Sequence, residues 1–235
     1  MSAVHARQQA QGSRRHALLF DLDGTLATTE HLHRAAYDKL LADQGRMLDP
    51  ATFATHVRGR SGRDVTRFLF PDCDELECSR LMERKERTFR ELAATQGLLP
   101  TPGVHMLLEW ARARGVATAL VTNAPRANAE MVIKVIGMAS AFDVVVSASE
   151  LARGKPHPDP YVTALDALAL DAASALAVED SPVGIASARA ANLDVIGIAG
   201  ETWDATPIHG AAIVVSDMSD PRLIAFLAER FDLAA

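Results

Sequence analysis

The sequence predicts an α/β protein: a parallel sheet with helices on both faces, interrupted by a small all-helical insertion. From residue 100 onward, short apolar runs alternate with stretches of helical character, the rhythm of strands joined by crossover helices. Residues 30–95 break that rhythm and offer helices but no convincing strand. The first apolar run, Ala17–Phe20, carries no charge, as befits a strand buried on both faces of a parallel sheet.

Each element has its own punctuation. After Ala17–Phe20 the insertion opens with a helical segment, His31–Asp43, that stops at Gly45. A shorter helix is expected over Asp64–Phe70, then a long one rich in Arg, Lys and Glu over Asp74–Gln96, with Gly97 behind it. The connections in and out are Ala27–Glu30 and Leu98–Gly103, the second containing Pro100 and Pro102. The expected organisation is therefore a loose tail over 1–14, a core domain from 15–29 and 97–235, and a helical cap domain over 30–96. In the core, Gly103–Arg114 ends at Gly115, and a helix from Pro125 ends near Gly137. Pro160 behind Asp159 and Pro182 behind Ser181 set proline at the first helical position after a capping side chain. Strands are expected at Ala117–Val121, Val144–Val146, Ala175–Val178, Val195–Ile198 and Ala212–Val215.

The chain has 235 residues, about half of them apolar, enough for one large domain or a domain with an insertion. A formal charge of −6 argues against a general nucleic-acid binder, which needs a basic face. No apolar stretch reaches the ~18 residues that span a bilayer. The first fifteen residues carry Arg7, Arg14 and Arg15 but lack the apolar segment of a secretory signal. Cys73 and Cys78 are too few for a disulfide scaffold or a zinc site and fit a reduced, cytoplasmic setting.

The chemistry concentrates where strands end. Asp21 and Asp23 stand two apart, so in extended geometry both project to one side, and Gly24 then allows a sharp turn and a close ligand. Two like charges there need a cation, a proton or a partner. Thr122-Asn123 follows the second core strand, Lys155 lies in Gly-Lys-Pro ahead of a helix, and Glu179-Asp180-Ser181 follows Ala175–Val178. Ligands of such sheets bind beyond the carboxyl ends of the strands. Carboxylates suit a hard cation such as Mg²⁺. Lys155 offers a compact positive charge to phosphate oxygens, and Thr122 and Asn123 offer hydrogen bonds.

These clusters, in this order, resemble the haloacid dehalogenase superfamily, in its phosphatase and phosphomutase branch with a small helical cap on a Rossmann-like core. The resemblance implies that Asp21 is a nucleophile forming an aspartyl phosphate. It makes Asp23 the general acid, then the base that activates water, so its pKa is expected to be raised by burial and by Asp21. It puts Mg²⁺ on the Asp21 carboxylate, the Asp23 backbone carbonyl and Asp180, with Glu179 acting through water, and gives the transferring phosphoryl group to Thr122 and Lys155. The implied activity is hydrolysis of a small phosphorylated metabolite, of sugar phosphate, glycerol phosphate or phosphoglycolate type. The alternative is a β-phosphoglucomutase-like sugar phosphomutase. Cap residues expected to meet the leaving group are Arg58, Arg60, Ser61 and Arg63, with Lys85 and His33 further candidates; a solvated face is the competing reading of the arginines. Thr28 departs from the family, whose members commonly carry an acid there. Gly62 after Ser61, and Thr122-Asn123-Ala124-Pro125-Arg126 in place of a Ser-Ala-Ser-Lys-Asn run, favour hydrolysis over phosphate exchange.

Overall fold

The computed structural model describes residues 16–200 and 208–233. The tail expected over 1–14 lies outside the described residues. Six parallel strands form one sheet in the order β3-β2-β1-β4-β5-β6. They are β1 (Ala17–Phe20), β2 (Ala117–Thr122), β3 (Val144–Ser147), β4 (Ala175–Glu179), β5 (Asp194–Ile198) and β6 (Ile213–Val215). β1 is central, pairing Ala17 with Ala117 on one side and with Ala175 on the other.

Alternation along β1 divides the core into two layers. Leu18 and Phe20 face α4 (Val104–Ala113), α5 (Arg126–Val135) and α8 (Pro221–Arg230), among Leu107, Val132 and Leu227. Ala17 and Leu19 face α6 (Asp159–Leu168) and α7 (Pro182–Ala190), among Tyr161, Ile185 and Ala188. Both faces are covered, which is why the central strands read as unbroken apolar runs.

Between β1 and α4 the chain is helical: α1 (Glu30–Ala42), a turn at Pro50–Thr52 that runs on as a π-helix over Phe53–Val57, α2 (Gly62–Leu69) and α3 (Glu75–Gln96). Tyr37, Leu41, Phe53, Val65 and Phe70 make a small core there. Leu32, Ala36, Phe89 and Ala93 instead join the large core cluster, tying α1 and α3 to the sheet layer. The two connections run side by side: Ala27 bridges Pro100, and the Thr28 N–H donates to Leu99 O at 3.2 Å.

Local chemistry moves several boundaries. α2 starts at Gly62 instead of Asp64, because the Ser61 side chain accepts the Asp64 N–H and caps the helix. Asp159 opens α6 instead of capping it, and its carboxylate is held by Arg153 at 2.9 Å. Ser181 does cap α7, accepting the Gly184 N–H at 3.0 Å ahead of Pro182. The turn and π-helix over 50–57 follow no signal read from the sequence. Cys73 and Cys78, read as reduced thiols, are joined as a disulfide; α3 brings Cys78 back over the preceding loop, with Cα atoms 5.6 Å apart.

Candidate active site

Three adjacent strands, β2, β1 and β4, deliver their carboxyl ends to one place. The β1 ladder extends one residue further, the Asp21 N–H donating to Val178 O at 2.9 Å. That fixes Asp21 beside Thr122 and the Glu179-Asp180 pair. Among the described residues, Asp21, Glu179 and Asp180 form the one carboxylate cluster with ligand atoms all within 4.8 Å of one another.

Lys155 reaches into this cluster and is almost fully buried. Its ammonium donates to Asp21 Oδ1 at 2.6 Å, Glu179 Oε1 at 2.6 Å and Val121 O at 2.8 Å, which uses all its hydrogens. Burial opposes the charge, but Asp21 and Glu179 outweigh it and hold the Lys155 pKa well above its ordinary value. Glu179 in turn accepts from Tyr161 Oη at 2.6 Å and from Ser181 Oγ at 3.3 Å. Its oxygens are committed to three donors, so it acts as the anchor of Lys155. Tyr161 was invisible to sequence reasoning, since a tyrosine on the apolar face of a helix reads as core.

One lysine does not neutralise three carboxylates. Burial first, then Glu179 and Asp23, push Asp21 up to about 7 against the pull of Lys155. Burial, Asp21 and Glu179 push Asp180 well above the usual carboxylate range. Asp180 is held by Thr25 Oγ1 at 3.2 Å and closes against the turn, where a Cβ on Gly24 would sit 2.2 Å from Asp180 Oδ2. Gly24 also has φ +91°, so the turn demands glycine twice over. A buried, all-oxygen donor set with surplus negative charge fits a hard divalent cation held by Asp21 and Asp180.

Asp23 is set apart from that cluster. Its Oδ1 accepts from Thr29 Oγ1 at 2.6 Å and from His33 Nε2 at 3.2 Å. Lys85 Nζ donates to His33 Nδ1 at 2.7 Å; since an ammonium only donates, the Nε2–H is the proton turned on Asp23. The His33 ring is further fixed by stacking on Phe89 at 4.1 Å. Burial raises Asp23, but His33 first, then the hydrogen bond from Thr29 and the Lys85 charge behind the imidazole, outweigh it and hold the carboxyl below its ordinary value. The expectation of a raised Asp23 pKa is thus corrected. It overlooked the two donors that reach the carboxylate from the residue before α1 and from its first turn.

The remaining predicted residues divide. Thr122 is buried at the cavity wall, its hydroxyl accepting the Ala124 N–H at 3.0 Å. Asn123 also lines the cavity, yet its side-chain amide serves the backbone: Nδ2 donates to Gly59 O and Lys155 O, both at 3.2 Å, and Oδ1 accepts the Lys155 N–H at 2.9 Å. Arg58, Arg60, His33 and Lys85 line the same cavity from the helical side. Ser61 and Arg63 do not. Ser61 is spent on the α2 cap, and Arg63 is turned outward by the helix onto Glu75. Glu30, at the first position of α1, lines the cavity and was missed by sequence reasoning.

The haloacid dehalogenase-like hydrolase family model matches residues 18–198. The protein CbbY of Rhodobacter capsulatus is 36% identical over 77% of this chain and 83% of its own length. A validoxylamine A 7'-phosphate phosphatase of Streptomyces hygroscopicus subsp. limoneus is 30% identical over 87% of this chain and 94% of its own. The crystal structure of CbbY from Rhodobacter sphaeroides in complex with phosphate superposes with a TM-score of 0.80 at 28% identity, covering 87% of this chain and 95% of that one.

Proposed function

This chain belongs to the haloacid dehalogenase-like hydrolases, and we propose from that premise that it is a Mg²⁺-dependent phosphatase acting on a small phosphate monoester through an aspartyl phosphate on Asp21. One observation carries the reading: two carboxylates two residues apart have been given opposite surroundings. Asp21 sits against Lys155 and Asp180, where an anion can be approached by another anion only with cations present. Asp23 is held away from that cluster by hydrogen bonds to Thr29 and His33.

In the first step an Asp21 oxygen bonds to phosphorus while the ester P–O bond breaks, and the leaving oxygen takes a proton from Asp23. In the second, water bonds to phosphorus and gives its proton to Asp23, and the Asp21–phosphorus bond breaks. In the resting site Asp23 is ionised, the form needed for the second step. A phosphate dianion arriving beside it favours the protonated form needed for the first. Lys155 neutralises Asp21 and the transferring oxygens, and Glu179 with Tyr161 holds Lys155 in place. When bound, Mg²⁺ would be held by Asp21, Asp180 and the Asp23 carbonyl and would supply the remaining charge neutralisation. We assign residues 30–96 as the cap over this site and residues 97–200 and 208–233, with 16–29, as the core.

The test is release of inorganic phosphate from p-nitrophenyl phosphate and a set of sugar and polyol phosphates. Activity is expected to vanish with chelator, to return with Mg²⁺, and to be lost in Asp21→Asn, whose amide is nearly isosteric but a very poor nucleophile. Free phosphate should appear in step with substrate loss. A folded Asp21→Asn protein keeping a tenth of wild-type turnover, or isomerisation of a sugar phosphate without phosphate release, would overturn the reading.

A further inference from the structure

The helical side of the cavity carries three cations, and two of them are already answered by carboxylates within the cavity wall. Arg58 Nη2 donates to Glu30 Oε1, and Lys85 Nζ donates to Glu86 Oε1 at 3.0 Å. Glu30, Arg58, Lys85 and Glu86 all line the cavity. The Arg58–Glu30 pair is about a quarter to a third exposed, with side-chain values of 23% and 34%, so it faces the space a substrate's leaving group would fill. Arg58 Nε is buried and has no hydrogen-bond partner among the described residues. The third cation, Arg60, is exposed at the rim.

This arrangement discriminates. A guanidinium reads a carboxylate or phosphate through its paired N–H groups. Here Glu30 takes part of that fork and cancels the charge. A second anionic group on the substrate would have to displace Glu30 or lie against it, and like charges in a closed site repel. A hydroxyl meets neither obstacle. Its oxygen can accept from an Arg58 Nη N–H not spent on Glu30, and its hydrogen can be given to Glu30.

We propose that Glu30 is a specificity-determining residue that restricts the substrate to monophosphates whose leaving group carries hydroxyls in place of a second anion, as in a polyol or neutral sugar phosphate. The inference rests on the phosphatase reading and sharpens it. It also refines the sequence-based expectation that Arg58 meets the leaving group, since a carboxylate 28 residues away in the chain already stands on that arginine.

The experiment measures kcat/KM for matched pairs differing in one group: 2-hydroxyethyl phosphate against 2-phosphoglycolate, and glycerol 3-phosphate against 3-phosphoglycerate. Wild-type protein is expected to favour the neutral member of each pair by about tenfold or more. Glu30→Gln, which keeps the shape and removes the charge, is expected to shrink that ratio by about tenfold, and Glu30→Asp to retain most of it. A ratio cancels any general damage to folding or turnover, which would lower both members together. Preference of the wild type for the anionic members, or a ratio indifferent to Glu30→Gln, overturns the proposal. So does a preference for anions that Arg60→Ala abolishes, since the rim arginine would then be the reader. If wild-type protein with Mg²⁺ releases phosphate from p-nitrophenyl phosphate while the ratios fail, only this inference falls. If no phosphate is released from any compound, the phosphatase reading falls and takes this inference with it.

Discussion

A single methyl group separates a working arrangement from a broken one at Gly184. Alanine is favoured over glycine inside a helix by about 0.8–1.0 kcal/mol, so Gly184→Ala in α7 would be expected to stabilise. A Cβ at 184, however, would lie 2.0 Å from the Glu179 carboxylate, well inside contact distance. Glu179 must then swing away and release Lys155. The expected outcome is a lower melting temperature and at least tenfold lower kcat/KM, measured by calorimetry and phosphate release; a more stable, fully active variant would show that Glu179 does not anchor Lys155. The raised pKa of Asp21 gives a second check. Its folded value of about 7 lies above the unfolded one, so its contribution to stability is fully present at low pH and is lost as pH rises through 7. A cation at Asp21 and Asp180 must displace those protons. The rise in melting temperature produced by Mg²⁺ should therefore be small at pH 5 and grow towards pH 8, and the reverse trend would remove Asp21 from the cation site. Asp21, Asp23 and Asp180 were legible as candidates because strand ends and a glycine turn are local patterns. Tyr161 and Glu30 were not, because each acquires its meaning from a partner distant in sequence.

Between elements, the contact that matters most is polar and buried. Glu86 on α3 accepts at Oε2 from Asn128 Nδ2 of α5 at 2.6 Å, and Arg90 of α3 donates to Asn128 Oδ1 at 2.8 Å. Both Glu86 and Asn128 are buried, so this amide adds a buried polar contact to the apolar ones, Leu32, Ala36, Phe89 and Ala93, that tie the helical insertion to the core layer. Replacing it with an isosteric apolar residue, Asn128→Leu, strands a buried carboxylate oxygen and should cost about 1–3 kcal/mol. Hydrogen exchange should quicken along α3 more than along α4 or α6; uniform quickening would mean that Asn128 only supports its own helix. The helices themselves were legible from their glycine stops, but the direction of their side chains was not. Arg58, Arg60 and Arg63 look equivalent in the sequence. Once Ser61 caps α2, each further residue rotates about 100° around the helix axis, and Arg63 is carried out to Glu75 while Arg58 stays in the cavity.

At the scale of the molecule, alternation of strands and helices was enough to give the sheet and its active edge, since parallel topology allows few arrangements. The pairing of the insertion with the core was not readable, because it combines apolar residues of α1 and α3 with buried polar contacts such as Glu86 with Asn128, and no period announces either partner. The sheet order carries one more consequence. β1 is made before any strand that flanks it, yet its neighbours are β2 and β4, and the bond between Asp21 and Lys155 spans 134 residues. At synthesis rates of roughly 5–20 residues per second, a nascent chain holds β1 for on the order of ten seconds before β4 exists to cover its second edge. The helices of the insertion, whose contacts are nearer in sequence, can pack during that interval. A chain halted before Ala175 thus exposes an apolar strand with an open edge, the kind of template that recruits other chains. Truncation from the carboxyl end should therefore give aggregates long before it gives a smaller folded protein.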